Sequence, residues 1–431
     1  MGRDDPHHSS GGAVSGLKHA VSSATLAIEL PLSLPFRKAP AMSIGYIRPT
    51  VAGIEEQQIL AVSKLALGDP SVIAMWYGES DLVTDADIRQ TAINSLNAGE
   101  TFYGHKRGLP EFQAALAGYV TGLFGQQITP NRITVTQSGM SAIMLIFQTI
   151  LDPGDNAVII SPVWPNAQSV VRALSGTPRY AVLDNDAQRG WHLDLQKLYD
   201  QCDERTRAIF INTPNNPTGW VMPREQMVEV LAFARERGIW IVSDEVYSRM
   251  VYDGRAAPSF LEIAQSDDPV LVVNSFSKSW AMTGWRMGWI THPPELGDVL
   301  GNMIEFNYSC LPTFIQRAGI QAIVEGERAV AQIVEHCRIG RDICNQRLPN
   351  LPKVRDYRPA SASFYGFFRI DGTGDRTLET CQRLVREAKV GIAPGTAFGP
   401  GAEGWYRLCF ALSPDRLSEA FNRLESGLAR L

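Results

Sequence analysis

Lys278 is the residue of this sequence whose surroundings most directly call for chemistry. It closes Ser275-Phe276-Ser277-Lys278, which follows the apolar run 270–274, and Gly284-Trp285-Arg286-Met287-Gly288 comes next. A lysine at the end of a buried strand must be solvated, paired or used covalently, because burying its charge alone is costly. In isolation it would be an ordinary surface lysine. Its company changes that reading: two hydroxyls precede it and an arginine follows eight residues later, and hydroxyls with a guanidinium make a phosphate site.

Other polar clusters follow the same rule of position. Asp244-Glu245-Val246-Tyr247 comes directly after the apolar run 239–243, where an acidic pair serves either as a helix cap or as a charge partner. Asn212-Thr213-Pro214-Asn215-Asn216-Pro217-Thr218-Gly219 follows another run and, taken alone, is a turn. Gln137-Ser138-Gly139-Met140-Ser141 opens an apolar helix, whose free N–H groups and dipole favour an anion, although a plain Ser-Gly cap is commoner. Trp164, in Ser161-Pro162-Val163-Trp164-Pro165, would by itself be a core tryptophan.

These clusters need a scaffold that sets them side by side. Strands are expected at 132–136, 157–160, 208–211, 239–243, 270–274 and 285–291, with helices between several of them. The clearest helix runs over 223–237, with Pro223 at its start and Gly238 at its end. Buried strands with crossover helices point to an α/β domain with a mainly parallel sheet, in which ligands sit beyond the carboxyl ends of the strands. After about residue 315 the character changes. A long helix over 314–348, a strand over 364–370, a helix over 378–389 and a strand over 405–411 read as a smaller α+β domain. The expected division is an extension without fixed structure at 1–44, an arm and part of the small domain at 45–85, a large domain at 86–315 and a small one at 316–431.

Composition narrows the function classes. Across 431 residues, 45% are apolar and 20% charged, the balance of a soluble globular protein, and the net charge of −5 speaks against nucleic acid. No apolar run approaches the ~20 residues of a membrane span. Six scattered cysteines form no CxxC pair, so a zinc site or disulfide framework is not expected, nor any other metal site, and reduced thiols in a cytoplasmic enzyme fit better.

Taken in order, these segments resemble the class I/II aminotransferases, the fold-type I enzymes of pyridoxal 5'-phosphate (PLP). The resemblance runs from residue 76 to 411. It implies the PLP-transferase fold type I: a large domain with a mainly parallel sheet flanked by helices, plus a smaller α+β domain. It also implies roles. Lys278 would hold PLP as a Schiff base, Asp244 would pair with the pyridine nitrogen, and Tyr247 and Asn216 would bond the ring oxygen. Ser138, Gly139, Met140, Ser275 and Arg286 would hold the phosphate, and Trp164 would stack on the ring. Tyr103 would reach the phosphate of a neighbouring subunit, which implies a homodimer with shared active sites. Arg407, in Arg407-Leu408-Cys409-Phe410-Ala411, would bind the substrate α-carboxylate with help from the Gly78 backbone and Asn216.

The implied reaction moves an amino group between an amino acid and a 2-oxo acid, ping-pong through pyridoxamine phosphate. The same cofactor residues also serve a β-eliminating lyase, which is the alternative. A PLP-binding regulator is a poorer fit, because residues 1–75 lack the basic charge of a DNA-binding domain. Some positions depart from the family pattern. Ser141 stands where many aspartate-using relatives carry a lysine, and Trp76-Tyr77-Gly78-Glu79 puts two aromatics beside the substrate glycine. An aromatic or other hydrophobic donor is therefore the expectation. Ser361-Ala362-Ser363 also replaces a glycine-rich turn before Phe364-Tyr365.

Overall fold

Asn-Ala-Val-Ile-Ile-Ser at Asn156–Ser161 is too short for a stable helix, and every one of its residues is buried, as in a strand covered on both faces. Six further strands join it in one sheet. The computed structural model describes residues 47–431, so the expectation for 1–44 lies outside the described residues. Across the sheet the order is Ile133–Thr136, Gly288–Thr291, Val270–Ser275, Trp240–Asp244, Thr206–Asn212, Asn156–Ser161 and Thr177–Val182. Gly288–Thr291 runs antiparallel to both neighbours and the remaining pairs are parallel.

Side chains alternate between two cores because strand residues point to opposite faces. Val158, Ile160, Ile209 and Ile211 face one core, while Ala157, Ile159, Ala208 and Phe210 face the other. Helices cover both. Gly139–Ile150 and Asn166–Ala173 lie on the second face, and Pro110–Phe124 and Arg224–Arg237 on the first. Arg224–Arg237 follows Pro223 and stops at Gly238, whose φ of 64° is the left-handed geometry that suits glycine.

A second sheet is antiparallel, in the order Val354–Arg355, Tyr365–Ile370, Trp405–Cys409 and Ala393–Pro394. Its core is completed by Ile59, Val62, Met75 and Trp76 from far earlier in the chain, and by Leu417, Phe421 and Leu424 of the helix Pro414–Ala429. A short parallel pairing, Ile73–Ala74 with Val390–Gly391, binds the early segment to this region. The hairpin Asp184–Asp186 and Gly190–His192 sends Trp191 across, 4.9 Å from Trp405 and 5.7 Å from Phe367 between ring centres.

The expected helix over 314–348 is two helices, Thr313–Glu325 and Glu327–Arg347, joined at Gly326. A Cβ at residue 326 would lie 2.2 Å from the Ala322 carbonyl oxygen, so the joint requires glycine. The expected strand over 285–291 begins only at Gly288, because a 3-10 turn at Thr283–Trp285 and a left-handed Arg286 occupy its first residues. The helix over 378–389 forms as Thr377–Arg383 followed by a π-helical turn, Leu384–Ala388. Among the described residues all six cysteines are free, and no helix is long and apolar enough to cross a membrane.

Candidate active site

The carboxyl ends of the parallel strands open into one cavity of about 750 Å³. Ile133–Thr136 delivers Ser138, Gly139 and Met140; Asn156–Ser161 delivers Trp164; Thr206–Asn212 delivers Asn216. Trp240–Asp244 delivers Asp244 and Tyr247, and Val270–Ser275 delivers Ser275 and Lys278. The antiparallel strand Gly288–Thr291 starts at this same end, which brings Arg286 to the rim. Gly78 and Arg407 close the cavity from the side of the smaller sheet. Twelve of the thirteen residues singled out in the sequence thus line one cavity. Tyr103 does not: its side chain is 90% exposed, beside Phe102 at 84%.

One end of the cavity is built for an anion. Ser138 caps the helix Gly139–Ile150, its Oγ accepting from the Ser141 N–H at 3.0 Å. Ser275 Oγ accepts from the Ser277 N–H at 2.9 Å. The two loops touch, because a Cβ on Gly288 would lie 2.8 Å from the Gly139 nitrogen and 2.6 Å from the Asn274 carbonyl oxygen. Arg286 extends beside them, exposed, its guanidinium donating to the Thr283 carbonyl at 2.6 Å. A helix N-terminus, two hydroxyls and a guanidinium form a phosphate-binding set.

The middle of the cavity holds a buried acid and an amine. Asp244 is 4% exposed, and the only hydrogen bond to its side chain among the described residues is a long one of 3.4 Å from the Val246 N–H. Burial pushes its carboxyl up to about 7, against the pull of that N–H and of the Lys278 charge. A buried carboxylate in this state is a receptor for a cationic group. The Lys278 amine donates to the Gly78 carbonyl and lies 5.7 Å from the centre of the Tyr247 ring. Burial lowers the amine to about 8, and the Arg407 and Arg286 charges add to the effect. Such an amine can both take and return a proton near neutral pH.

The far end is cationic and buried. Arg407 is 2% exposed on strand Trp405–Cys409, donating through Nη1 to Asn216 Oδ1 at 3.2 Å and through Nη2 to the Trp76 carbonyl. Its Nε is buried without a partner, and no carboxylate pairs with the guanidinium among the described residues. Because Asn216 Oδ1 accepts from Arg407, the Asn216 amide N–H groups are left to donate into the cavity. Gly78 is glycine for a steric reason: a Cβ there would lie 1.9 Å from the Tyr365 hydroxyl.

Tyr365 is the residue that sequence reasoning missed. It lines the cavity, its hydroxyl is 2.6 Å from that of Tyr247, and its ring lies 4.6 Å beneath the Arg407 guanidinium. Phe-Tyr-Gly-Phe-Phe reads as core, and only pairing across to Cys409, two residues from Arg407, would have pointed to the site. Both aromatics before Gly78 line the cavity: Trp76 also packs into the smaller core, and Tyr77 is half exposed and bonds Ser63 at 2.8 Å. Glu56, Gln57, Ile59 and Leu60 also line the cavity from the early segment, which carried no chemical signal in the sequence.

The chain as a whole is similar to known proteins. The family described as aminotransferase class I and II matches over residues 72–424. A probable aspartate/prephenate aminotransferase of Aquifex aeolicus is 32% identical over 405 residues, 92% of this chain and 100% of that protein. Aromatic-amino-acid aminotransferase 2 of Thermococcus litoralis is 31% identical, covering 87% of this chain and 96% of its own. Among solved structures, the aspartate aminotransferase of Thermotoga maritima superposes with a TM-score of 0.80 at 29% identity, covering 89% and 100% of the two chains.

Proposed function

The chain belongs to the class I and II aminotransferases, and on that premise we propose that it uses PLP to move an amino group between an amino acid and a 2-oxo acid. The observation that carries the reading is a single cavity lined by a lowered amine, a buried carboxylate and a buried guanidinium, the last two in no ion pair among the described residues.

The residues present fit PLP. Ser138, Gly139, Met140, Ser275 and Arg286 would hold its phosphate, Trp164 its ring face, Asn216 and Tyr247 its ring oxygen, and Lys278 would carry it covalently. Among the described residues Asp244 has no cation acting on it other than the Lys278 charge, and a protonated ring nitrogen would supply one. Bound there, PLP would supply an electrophilic carbon and a ring that accepts electrons. The chain's own groups do the rest. Arg407 binds and orients the substrate carboxylate, Asp244 keeps its partner nitrogen protonated, and the Lys278 amine carries the substrate proton.

Substrate choice belongs to the same proposal. Ile59, Leu60, Ile143 and Tyr77 are apolar contributors to the lining, beside Glu56 and Gln57, and they favour an aromatic or other hydrophobic amino donor. A cytoplasmic homodimer completes the reading, with exposed Tyr103 and Phe102 covered by the second subunit and Tyr103 reaching that subunit's phosphate end. The two sheets with their own cores support a large domain and a small one to which 45–85 contributes, while Ala318, Ala322 and Val330, beyond the expected boundary at 315, pack into the core of the large sheet.

The relatives compared carry aminotransferase names, which does not favour an eliminating lyase. The deciding experiment is a panel of amino donors with purified protein and either 2-oxoglutarate or pyruvate, following both amino acid and oxo acid. Transfer to the acceptor is the expected result. Release of ammonia without transfer overturns it.

A further inference from the structure

Tyr365 belongs to no role derived so far, yet it touches Tyr247, Gly78 and Arg407 at once. It stands on strand Tyr365–Ile370 of the smaller sheet and is 1% exposed. Its hydroxyl lies 2.6 Å from the Tyr247 hydroxyl, a contact in which either oxygen could donate. The two rings meet edge to face, 5.7 Å apart at 75°. Its ring face supports the Arg407 guanidinium at 4.6 Å, and its hydroxyl takes the space that the missing Cβ of Gly78 leaves.

A phenol has one proton to give. If Tyr247 gave its proton to Tyr365, it would have none for the cofactor ring oxygen. The reverse direction satisfies both oxygens, and a phenol that accepts one bond donates more strongly in the next. We propose that Tyr365 is a positioning residue: its hydroxyl donates to Tyr247, which frees and strengthens the Tyr247 O–H for the cofactor, while its ring holds Arg407 in place for the substrate carboxylate. The inference rests on the PLP reading above and deepens it. The charged and titratable groups around the pair are Arg407, Asp244, Cys409 and Lys278. All four remain when only the Tyr365 hydroxyl is removed.

The test separates the hydroxyl from the ring. PLP-loaded wild type and Tyr365→Phe are titrated with base, following the visible band of the bound cofactor, and the binding of 3-phenylpropionate, a carboxylate without an amine, is measured for each. Tyr365→Phe should move the midpoint upward by roughly 0.5 to 1 pH unit, the equivalent of one ordinary hydrogen bond, and leave 3-phenylpropionate affinity within about twofold. Tyr365→Leu should move the midpoint as far and also weaken 3-phenylpropionate about three- to tenfold, through loss of the ring under Arg407. In a Tyr247→Phe background, Tyr365→Phe should move the midpoint no further, because it acts through Tyr247. An unmoved midpoint in Tyr365→Phe, beside a pH-sensitive wild type, overturns the inference and leaves the PLP reading standing. A wild type that takes up no PLP overturns both.

Discussion

Arg407→Lys offers the sharpest test of how the site holds its substrate, because the charge is kept and only the fork is lost. A guanidinium carries five N–H donors. In Arg407 one goes to Asn216 Oδ1 and one to the Trp76 carbonyl, while Nε has no partner, so a carboxylate can still be gripped by two parallel bonds. A lysine has three donors, and meeting the same two oxygens leaves it one. The substitution thus removes about one charge-assisted hydrogen bond, worth roughly 1.5–3 kcal/mol, and amino acid affinity should fall about 10- to 150-fold. The assay is a single-turnover reaction of the PLP-loaded protein, comparing an amino acid with the matching amine that lacks the carboxylate. The variant should slow only the amino acid at subsaturating concentration and leave the amine within about twofold. An equal loss with both, in a variant that keeps its cofactor spectrum, would mean that Arg407 supports the cavity wall and does not read the carboxylate.

Asp244→Asn should alter the pH dependence of stability in the cofactor-free protein. The carboxyl is raised from 3.8 to about 7 by burial, so between those values the native state keeps a proton that the unfolded state has lost. Wild-type stability should therefore fall as pH rises from about 4 to 7, by at most a few kcal/mol, and thermal melts of the variant should show a shallower fall. Some slope will remain, because burial also raises Glu245 to about 7. Gly78→Ala should force Tyr365 aside, since the new methyl would lie 1.9 Å from its hydroxyl, and destabilise by about 1–3 kcal/mol. Pairing it with Tyr365→Phe should recover part of that in denaturant melts. Mixing Tyr103→Phe with Lys278→Ala subunits, each impaired, should restore activity in hybrids through one intact site; proven hybrids that stay inactive would count against a Tyr103 shared across subunits.

Much of this site was legible because the parallel sheet sorts residues simply. Ser138, Asn216, Asp244 and Lys278 each follow an apolar run, and the sheet then places all carboxyl ends at one edge. The same logic fails for Thr177–Val182, an edge strand that is only partly buried and contains Pro178, so it shows neither a clean apolar run nor alternation. It fails for Tyr365 too, since an aromatic in an aromatic strand reads as packing until the register sets it beside Arg407. Gly78 and Gly288 were visible as glycines, but the neighbours that require them come from distant segments. The early wall at Glu56 to Leu60 could not be read at all, because nothing local marks a short helix as a cover for a cavity built from residues 138–407.

The smaller core draws Ile59, Val62 and Trp76 together with Phe410, Leu424 and Leu428. A nascent chain emerging from its N-terminal end therefore exports the first of these apolar groups long before their partners exist. The central sheet can assemble meanwhile, but the carboxylate-binding end cannot, since Gly78 and Arg407 meet only when the last strands arrive. Ligand competence thus waits for segments made long after the central sheet, and a chain arrested near residue 400 would own a complete sheet, Lys278 and Asp244 included, without Arg407 to grip an amino acid.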